Sequence, residues 1–311
     1  MASVLKPTLI QLVASLGAGS GRALTSAEQI EQALRSRGWS TRLQAFDDLG
    51  RLARWSATCR KSFSHLVCVG GDATMSAAAV AAIRHGAPML PVPSGFGNLF
   101  ARTFGHSDDP EAVADLLETG EVIGIDAGTL NGEIFLSLES FGMLNDIQAA
   151  VEENGGQPKS KPLRLLSYFG TAGRFLLRAR LWSFRVEVDG ALVARSAVLV
   201  TVANVRAYGA VLPLTPDASP VDGLLDVFVI PRTTPFGLWS RLLRLLLRLP
   251  PRSEEVLLRR GRRISVSARG RPREDIRVLP GALPLLVPRG WQEQTASGEI
   301  APPDRARDQV A

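Results

Sequence analysis

Three glycine-rich segments hold the residue types that bind phosphate: Gly17-Ala-Gly-Ser-Gly21, Gly70-Gly-Asp-Ala-Thr74 and Ser94-Gly-Phe-Gly97. Each follows an apolar run and precedes a helical pattern. Glycine lets successive backbone N–H groups turn toward an anion with no Cβ in the way, and a helix N-terminus behind the loop adds a favourable dipole. One such loop is a weak signal; three in one region point to a nucleotide. The segment from Gly70 to Thr74 is the richest in chemistry. Asp72 can hold a metal ion or accept a hydroxyl proton, and Thr74 can cap the next helix and reach a phosphate oxygen. A tight turn with Asp72 as a local cap accounts for the same spacing, and spacing alone does not separate the two.

These loops need a frame of alternating strands and helices. Thr8–Ala14 reads as a strand. Ser26 with Gln29 forms a capping box that opens a helix over Ala27–Arg37, which Gly38 ends. Thr41–Phe46, His65–Val69 and Pro88–Pro93 read as further strands, and Leu49–Cys59, Met75–Arg84 and Pro110–Glu118 as helices. Asn98 is expected to cap Leu99–Phe104. Repeated units of this length imply a parallel sheet covered on both faces, with ligands at the carboxyl ends of its strands. Near residue 121 the pattern changes to short strands: Val122–Asp126, Ile134–Leu138, Phe184–Val188, Ala197–Val202, Leu225–Ile230, Ile264–Ser267 and Ile276–Leu279. Asn131-Gly132 and Asp189-Gly190 are hairpin signals. The expected organisation is an α/β nucleotide-binding domain over 1–125, an antiparallel β-sandwich domain over 126–290 with two helical insertions, and a loose tail over 291–311.

The chain has 311 residues with 45% apolar and 21% charged, an ordinary globular composition that excludes extensive disorder. Its longest uncharged stretch, His85–Ala101, has 17 residues and three prolines, so no membrane span is expected. Lys6 before the apolar run Pro7–Leu16 could mimic a short signal peptide, but a first strand is the reading preferred. Two cysteines, Cys59 and Cys68, make neither a disulfide framework nor a zinc site, and a cytoplasmic location is expected. The net charge of +6 divides into −4 over residues 1–150 and +10 over residues 151–311. The basic half suggests an anionic partner. Arg241, Arg244 and Arg248 share one face of an amphipathic segment, Pro235–Leu249, that suits peripheral contact with an anionic membrane. Leu163–Leu181 is a second such segment. Packing on the protein's own sheet explains both segments equally simply. No nucleic-acid reader motif is present, and none of His65, His85 or His106 has ligand spacing.

Gly70-Gly-Asp-Ala-Thr74 followed by Pro93-Ser-Gly-Phe-Gly-Asn-Leu-Phe-Ala-Arg102 resembles the diacylglycerol kinase catalytic-domain family. That group includes bacterial lipid kinases and the sphingosine and ceramide kinases, and is distantly related to NAD kinases. Ala18-Gly-Ser-Gly-Arg22, Tyr208-Gly, Pro216-Asp-Ala-Ser-Pro-Val-Asp-Gly-Leu-Leu-Asp226 and Val278-Leu-Pro-Gly-Ala-Leu283 extend the resemblance over about residues 8 to 288. It implies a two-domain lipid kinase that moves the γ-phosphoryl group of ATP to a lipid hydroxyl, with Mg²⁺ neutralising the phosphates. Gly19, Ser20, Gly21, Gly70, Gly71, Asp72, Ala73, Thr74, Ser94, Gly95, Gly97 and Asn98 would cradle the nucleotide. Ser219, Asp222 and Leu224 match positions that hold a structural Mg²⁺ in some bacterial members. The partner implied is a lipid substrate, and a homodimer is left open.

Several positions depart from the pattern. Ala73 replaces a glycine, Phe96 a threonine and Leu99 an aspartate. Ser267-Ala-Arg-Gly-Arg271 stands where many members carry Asp-Gly-Glu with an acid assigned as general base. Arginine stays charged and cannot take a proton. In the sphingosine kinase branch the aspartate matching Asp72 has the base role, so Asp72 is the expected catalytic residue. A member that binds lipid or nucleotide without turnover is the alternative, and an NAD kinase is a third reading.

Overall fold

The computed structural model describes residues 9–17, 21–95, 97–142, 183–206, 208–209, 212–234, 237, 240 and 255–293. The segment Leu163–Leu181, all of Pro235–Leu249 except Gly237 and Ser240, the tail beyond 293, and Gly19, Ser20 and Phe96 lie outside these residues.

The first half alternates as expected: β1 (Ile10–Ser15), α1 (Arg22–Ser36), β2 (Thr41–Phe46), α2 (Leu49–Thr58), β3 (His65–Gly70), α3 (Asp72–His85), β4 (Met89–Pro93), α4 (Leu99–Thr103) and α5 (Pro110–Thr119). The strands lie parallel in the order β4-β3-β1-β2. Successive residues on a strand point to opposite faces, and both faces are buried here. Ile10, Leu12, Val67 and Val69 pack with Ala27, Ile30 and Leu34 of α1 and with Val113 and Leu117 of α5. Val13, Leu66 and Cys68 pack with Leu52 of α2, Met75 and Ala79 of α3, and Phe100. Gln11 interrupts the apolar run without cost, because its side-chain amide donates to the Leu12 and Arg42 carbonyls.

Helix α1 begins at Arg22, earlier than the Ser26–Gln29 capping box suggested. Its N-cap is Gly21, in a left-handed conformation (φ 86°) with no side-chain cap. Gly21 lets the chain turn directly from the first loop into the helix, so Ser26 sits inside it.

The second half begins with β5 (Glu121–Leu130), β6 (Glu133–Phe135) and β7 (Leu138–Gly142). Next come β8 (Phe184–Val188), β9 (Ala191–Ala203), β10 (Tyr208–Gly209) and β11 (Leu212–Pro213). The last strands are β12 (Leu225–Pro231), β13 (Leu257–Gly261), β14 (Arg263–Ala268) and β15 (Glu274–Val287). Their pairings are antiparallel, apart from one contact of β15 with β4. Val200 and Val202 of β9 and Leu225 and Val227 of β12 close against Val186, Ile264 and Ile276. This is a β-sandwich core. Both hairpin signals hold: Asn131 and Gly132, and Asp189 and Gly190, all have positive φ, as a two-residue turn requires.

Strand β15 was legible only in part, as Ile276–Leu279. It runs 14 residues, shifts register between Leu279 and Leu283, and ends beside β4 at Leu285. Asp126 lies inside β5, which pairs with β15 on both sides of that shift. Trp291 then packs on Phe104, ring centroids 5.1 Å apart. No helix among the described residues is long and apolar enough to cross a membrane.

Two histidines, one buried (His106) and one half-buried (His65), tie the fold to pH. Nε2 of His106 is 2.8 Å from the Leu286 carbonyl, so that nitrogen carries the proton. Burial holds both His106 and His65 below the usual imidazole value of 6.5. An unfolded chain therefore takes up protons first as pH falls, and stability present above about pH 6.5 declines below it. The urea midpoint is expected to drop between pH 7 and 5. His106→Gln, which keeps a donor for Leu286, should flatten that drop.

Candidate functional site

Strands β4, β3 and β1 are neighbours, so the loops that follow them lie along one sheet edge. The loop after β3 is shorter than its sequence suggests. Gly70 ends the strand, Gly71 is the N-cap of α3, and Asp72, Ala73 and Thr74 form the first helical turn. Ala73 therefore needs no positive φ, and alanine is accommodated there in place of the family's glycine without backbone strain. Thr74 is not a cap. It is 3% exposed and packs over Gly70, where a Cβ would meet its side chain at 2.6 Å. The leading N–H groups of α3 have no partner within the helix and are available to an anion.

The second loop is held against the first. Ser94 N–H donates to the Gly70 carbonyl at 3.0 Å. A Cβ on Gly95 would fall 2.6 Å from the Gly71 Cα, so the backbones approach at a distance only glycine allows. Asn98 is 5% exposed and does not cap α4; it sits at φ 49° and closes the loop on itself. Its Oδ1 accepts from Gly95 N–H at 2.8 Å, and its Nδ2 donates to the Gly95 carbonyl at 2.7 Å.

The cap of α4 is Asp72. Its Oδ2 accepts from Leu99 N–H at 3.0 Å and its Oδ1 from Phe100 N–H at 2.8 Å. Oδ1 also accepts the Ser137 hydroxyl at 3.0 Å. A carboxylate offers about four lone-pair sites, so roughly one remains for a proton or a cation. Neither Ser137 nor this capping role was read from the sequence. The partners lie 27, 28 and 65 residues from Asp72, beyond any local spacing rule. Ser137 is placed by Asn204, whose N–H donates to the Ser137 carbonyl at 2.8 Å. The Asn204 side chain donates to the Asp126 and Leu136 carbonyls at 2.8 and 3.0 Å.

The structure brings Gly70, Gly71, Asp72, Ala73, Thr74, Ser94, Gly95, Gly97 and Asn98 together at one edge, with Gly21 after the adjoining strand. This arrangement fits a phosphate chain: glycine backbones in close apposition beside the N-terminus of a 14-residue helix. Ser219, Asp222 and Leu224 lie elsewhere, in the turn before β12. The Ser219 hydroxyl donates to Glu293 at 2.7 Å, and Asp222 Oδ1 accepts from Leu224 N–H at 3.0 Å. Asp222 Oδ2 faces the Arg260 guanidinium at 3.8 Å. Arg260 also donates to Asp226 Oδ1 at 3.1 Å and to the Asp217 carbonyl. An arginine thus stands beside the one carboxylate of this trio, and the resemblance would draw further magnesium ligands from backbone carbonyls of the same turn. Among the described residues no three His, Cys, Asp or Glu side chains are grouped to hold a metal.

Burial pushes the Asp226 carboxyl above its usual range, against the pull of Arg260, and its Oδ2 has no partner. Arg260→Ala should cost roughly 1–3 kcal/mol at neutral pH, a range set low because the guanidinium is 41% exposed. In thermal melts that cost should shrink as acid protonates Asp226.

The tip of the β14–β15 hairpin carries Arg269, Gly270 and Arg271, with Gly270 at φ 76°. The acids nearest in sequence are engaged: Asp275 pairs with Arg263 and Arg277, and Glu274 accepts from Asn131.

Residues 11–130 match a model described as the diacylglycerol kinase catalytic domain. Residues 145–286 match one described as a YegS C-terminal NAD kinase beta sandwich-like domain. The chain is 26% identical over 173 residues to a diacylglycerol kinase of Bacillus subtilis, covering 55% of this chain and 56% of that protein. It is 29% identical over 206 residues to a Pseudomonas fluorescens protein named "Probable lipid kinase YegS-like", covering 64% and 66%. The matched stretches span between about half and two thirds of these relatives. A crystal structure of a diacylglycerol kinase from Bacillus anthracis superposes with a TM-score of 0.67 at 19% identity, covering 91% of this chain and 98% of the other. At that identity the likeness speaks for the fold.

Proposed function

Because the chain belongs to the diacylglycerol kinase catalytic-domain family, we propose that it is an ATP-dependent kinase acting on a lipid hydroxyl. The observation that carries this reading is the joining of two glycine loops by Asp72, with one carboxylate lone pair left over. ATP supplies the phosphoryl group, and the magnesium it brings neutralises the phosphates. The backbone of Gly71, Ala73, Gly95 and Gly97 binds and orients the phosphates. Asp72 draws the acceptor hydroxyl by its free lone pair and takes its proton. Ser137, reaching over from the second half, fixes the rotation of that carboxylate. Phosphoryl transfer depends mainly on positioning and charge stabilisation, so an enzyme without the acidic hairpin motif retains the larger part of the effect. The +10 charge of residues 151–311 supports docking on an anionic membrane, where the lipid acceptor resides.

The arginines at the hairpin tip favour a second reading, a member that binds nucleotide and lipid without turnover. Incubation with labelled ATP, magnesium and vesicles of mixed lipids separates the two. Label in the lipid phase, none with NAD as sole acceptor, supports the kinase. Heat of ATP binding with no label in any lipid supports the binding module.

A further inference from the structure

An arginine just past the end of β9 holds a buried N–H without an acceptor. Arg206 follows Asn204 by two residues, and its side chain is 18% exposed. Its Nε–H is buried and has no hydrogen-bond partner. A buried guanidinium donor without an acceptor is costly. Among the described residues the carboxylate facing it belongs to Glu293, whose Oε1 is 4.0 Å from Nη2, too far for a hydrogen bond. The other oxygen, Oε2, accepts the Ser219 hydroxyl at 2.7 Å. Glu293 thus lies across Arg206 and Ser219 and satisfies only the serine.

We propose that Arg206 and Ser219 form an oxyanion subsite separate from the glycine loops, and that Glu293 occupies it in the resting chain as a tethered substitute. The ligand class follows from where Glu293 falls short: held by the chain, its carboxylate bonds the serine and stops 4.0 Å from the guanidinium. A free phosphate or phosphate monoester presents its oxygens in a tetrahedral array and is not tied to the backbone, so it can meet the serine hydroxyl, Nη2 and the orphaned Nε–H together. The guanidinium's fixed fork suits that geometry, and its charge cannot be lost by deprotonation. The subsite lies near the proposed centre: Val205, the residue before Arg206, is buried in the core that holds Met75 and Phe100. Asn204 bonds to Ser137, which bonds to Asp72. Naming a lipid phosphate as the natural occupant rests on the kinase reading; the oxyanion subsite itself does not.

Calorimetry with inorganic phosphate tests it on the full chain. Glu293→Gln removes the competing charge and should bind phosphate about tenfold more tightly than wild type. Arg206→Met in the Glu293→Gln background should reverse the gain, whereas Arg206→Lys should keep part of it. Equal affinities for wild type and Glu293→Gln, or a gain that survives Arg206→Met, overturn the proposal. Dihexanoyl phosphatidic acid, with dihexanoyl phosphatidylcholine as control, distinguishes the sources. The same Arg206 dependence for phosphatidic acid admits a lipid headgroup; its absence, with phosphate still bound, supports a free-anion subsite. Failure to bind ATP would strike the kinase reading and leave the phosphate result standing.

Discussion

Asp72→Asn is expected to reduce phosphoryl transfer to lipid by about 10²–10⁴-fold, the usual worth of a positioned proton acceptor. The substitution also disturbs the fold locally. An asparagine side chain has one oxygen, so it cannot accept from Leu99, Phe100 and Ser137 through both of its ends as the carboxylate does. Its NH₂ must face at least one of those donors. Loss of this cap should cost about 1–2 kcal/mol in unfolding experiments. Ser137→Ala separates the two effects. It removes one donor and leaves the carboxylate, so the rate should fall only several-fold and the melting temperature slightly. If Asp72→Asn turned over at the wild-type rate, Asp72 would be a helix cap and nothing more.

Gly95→Val should abolish the heat of ATP binding and destabilise the chain by about 1–3 kcal/mol. A Cβ there would stand 2.6 Å from the Gly71 Cα and 2.9 Å from Asn98 Oδ1. The first of these is backbone and cannot swing aside, so the two loops must part. Gly71→Ala is the informative contrast. Its Cβ would meet Gly95 at 3.5 Å, an ordinary contact, and the protein should fold with little loss. Gly17→Ala, in the first loop, meets nothing within 4 Å and should behave like wild type in both measurements.

The βα frame was legible because its strands are continuous apolar runs and its helices repeat their apolar residues every three or four positions. Gln11 shows the limit of that reading, since a buried polar side chain looks like an interruption until its two carbonyl partners are known. The start of α1 was misplaced for a related reason. Ser26 and Gln29 have the spacing of a cap, but a left-handed glycine five residues before Ser26 had already started the helix. Asn98 likewise has the composition of a cap and uses its side chain for the loop instead. The true cap, Asp72, sits on another helix, and no periodicity links the two. Ser137 was invisible as a site residue because its partner, Asp72, is brought near only by the second half folding back on the first, and Arg206 because Ser219 and Glu293 lie beyond any local spacing rule.

Strand β15 carries a mechanical consequence. The ribbon it makes with β5 passes without a break from the sandwich to the edge of the parallel sheet. Its one irregularity falls between Leu279 and Leu283, where Gly281 adopts φ 58° and donates its N–H to buried Asp126 at 2.8 Å. Widening the space between the halves therefore means wringing a two-stranded ladder about that kink rather than swinging on a slack tether. The two halves are thus coupled through the twist of that ladder.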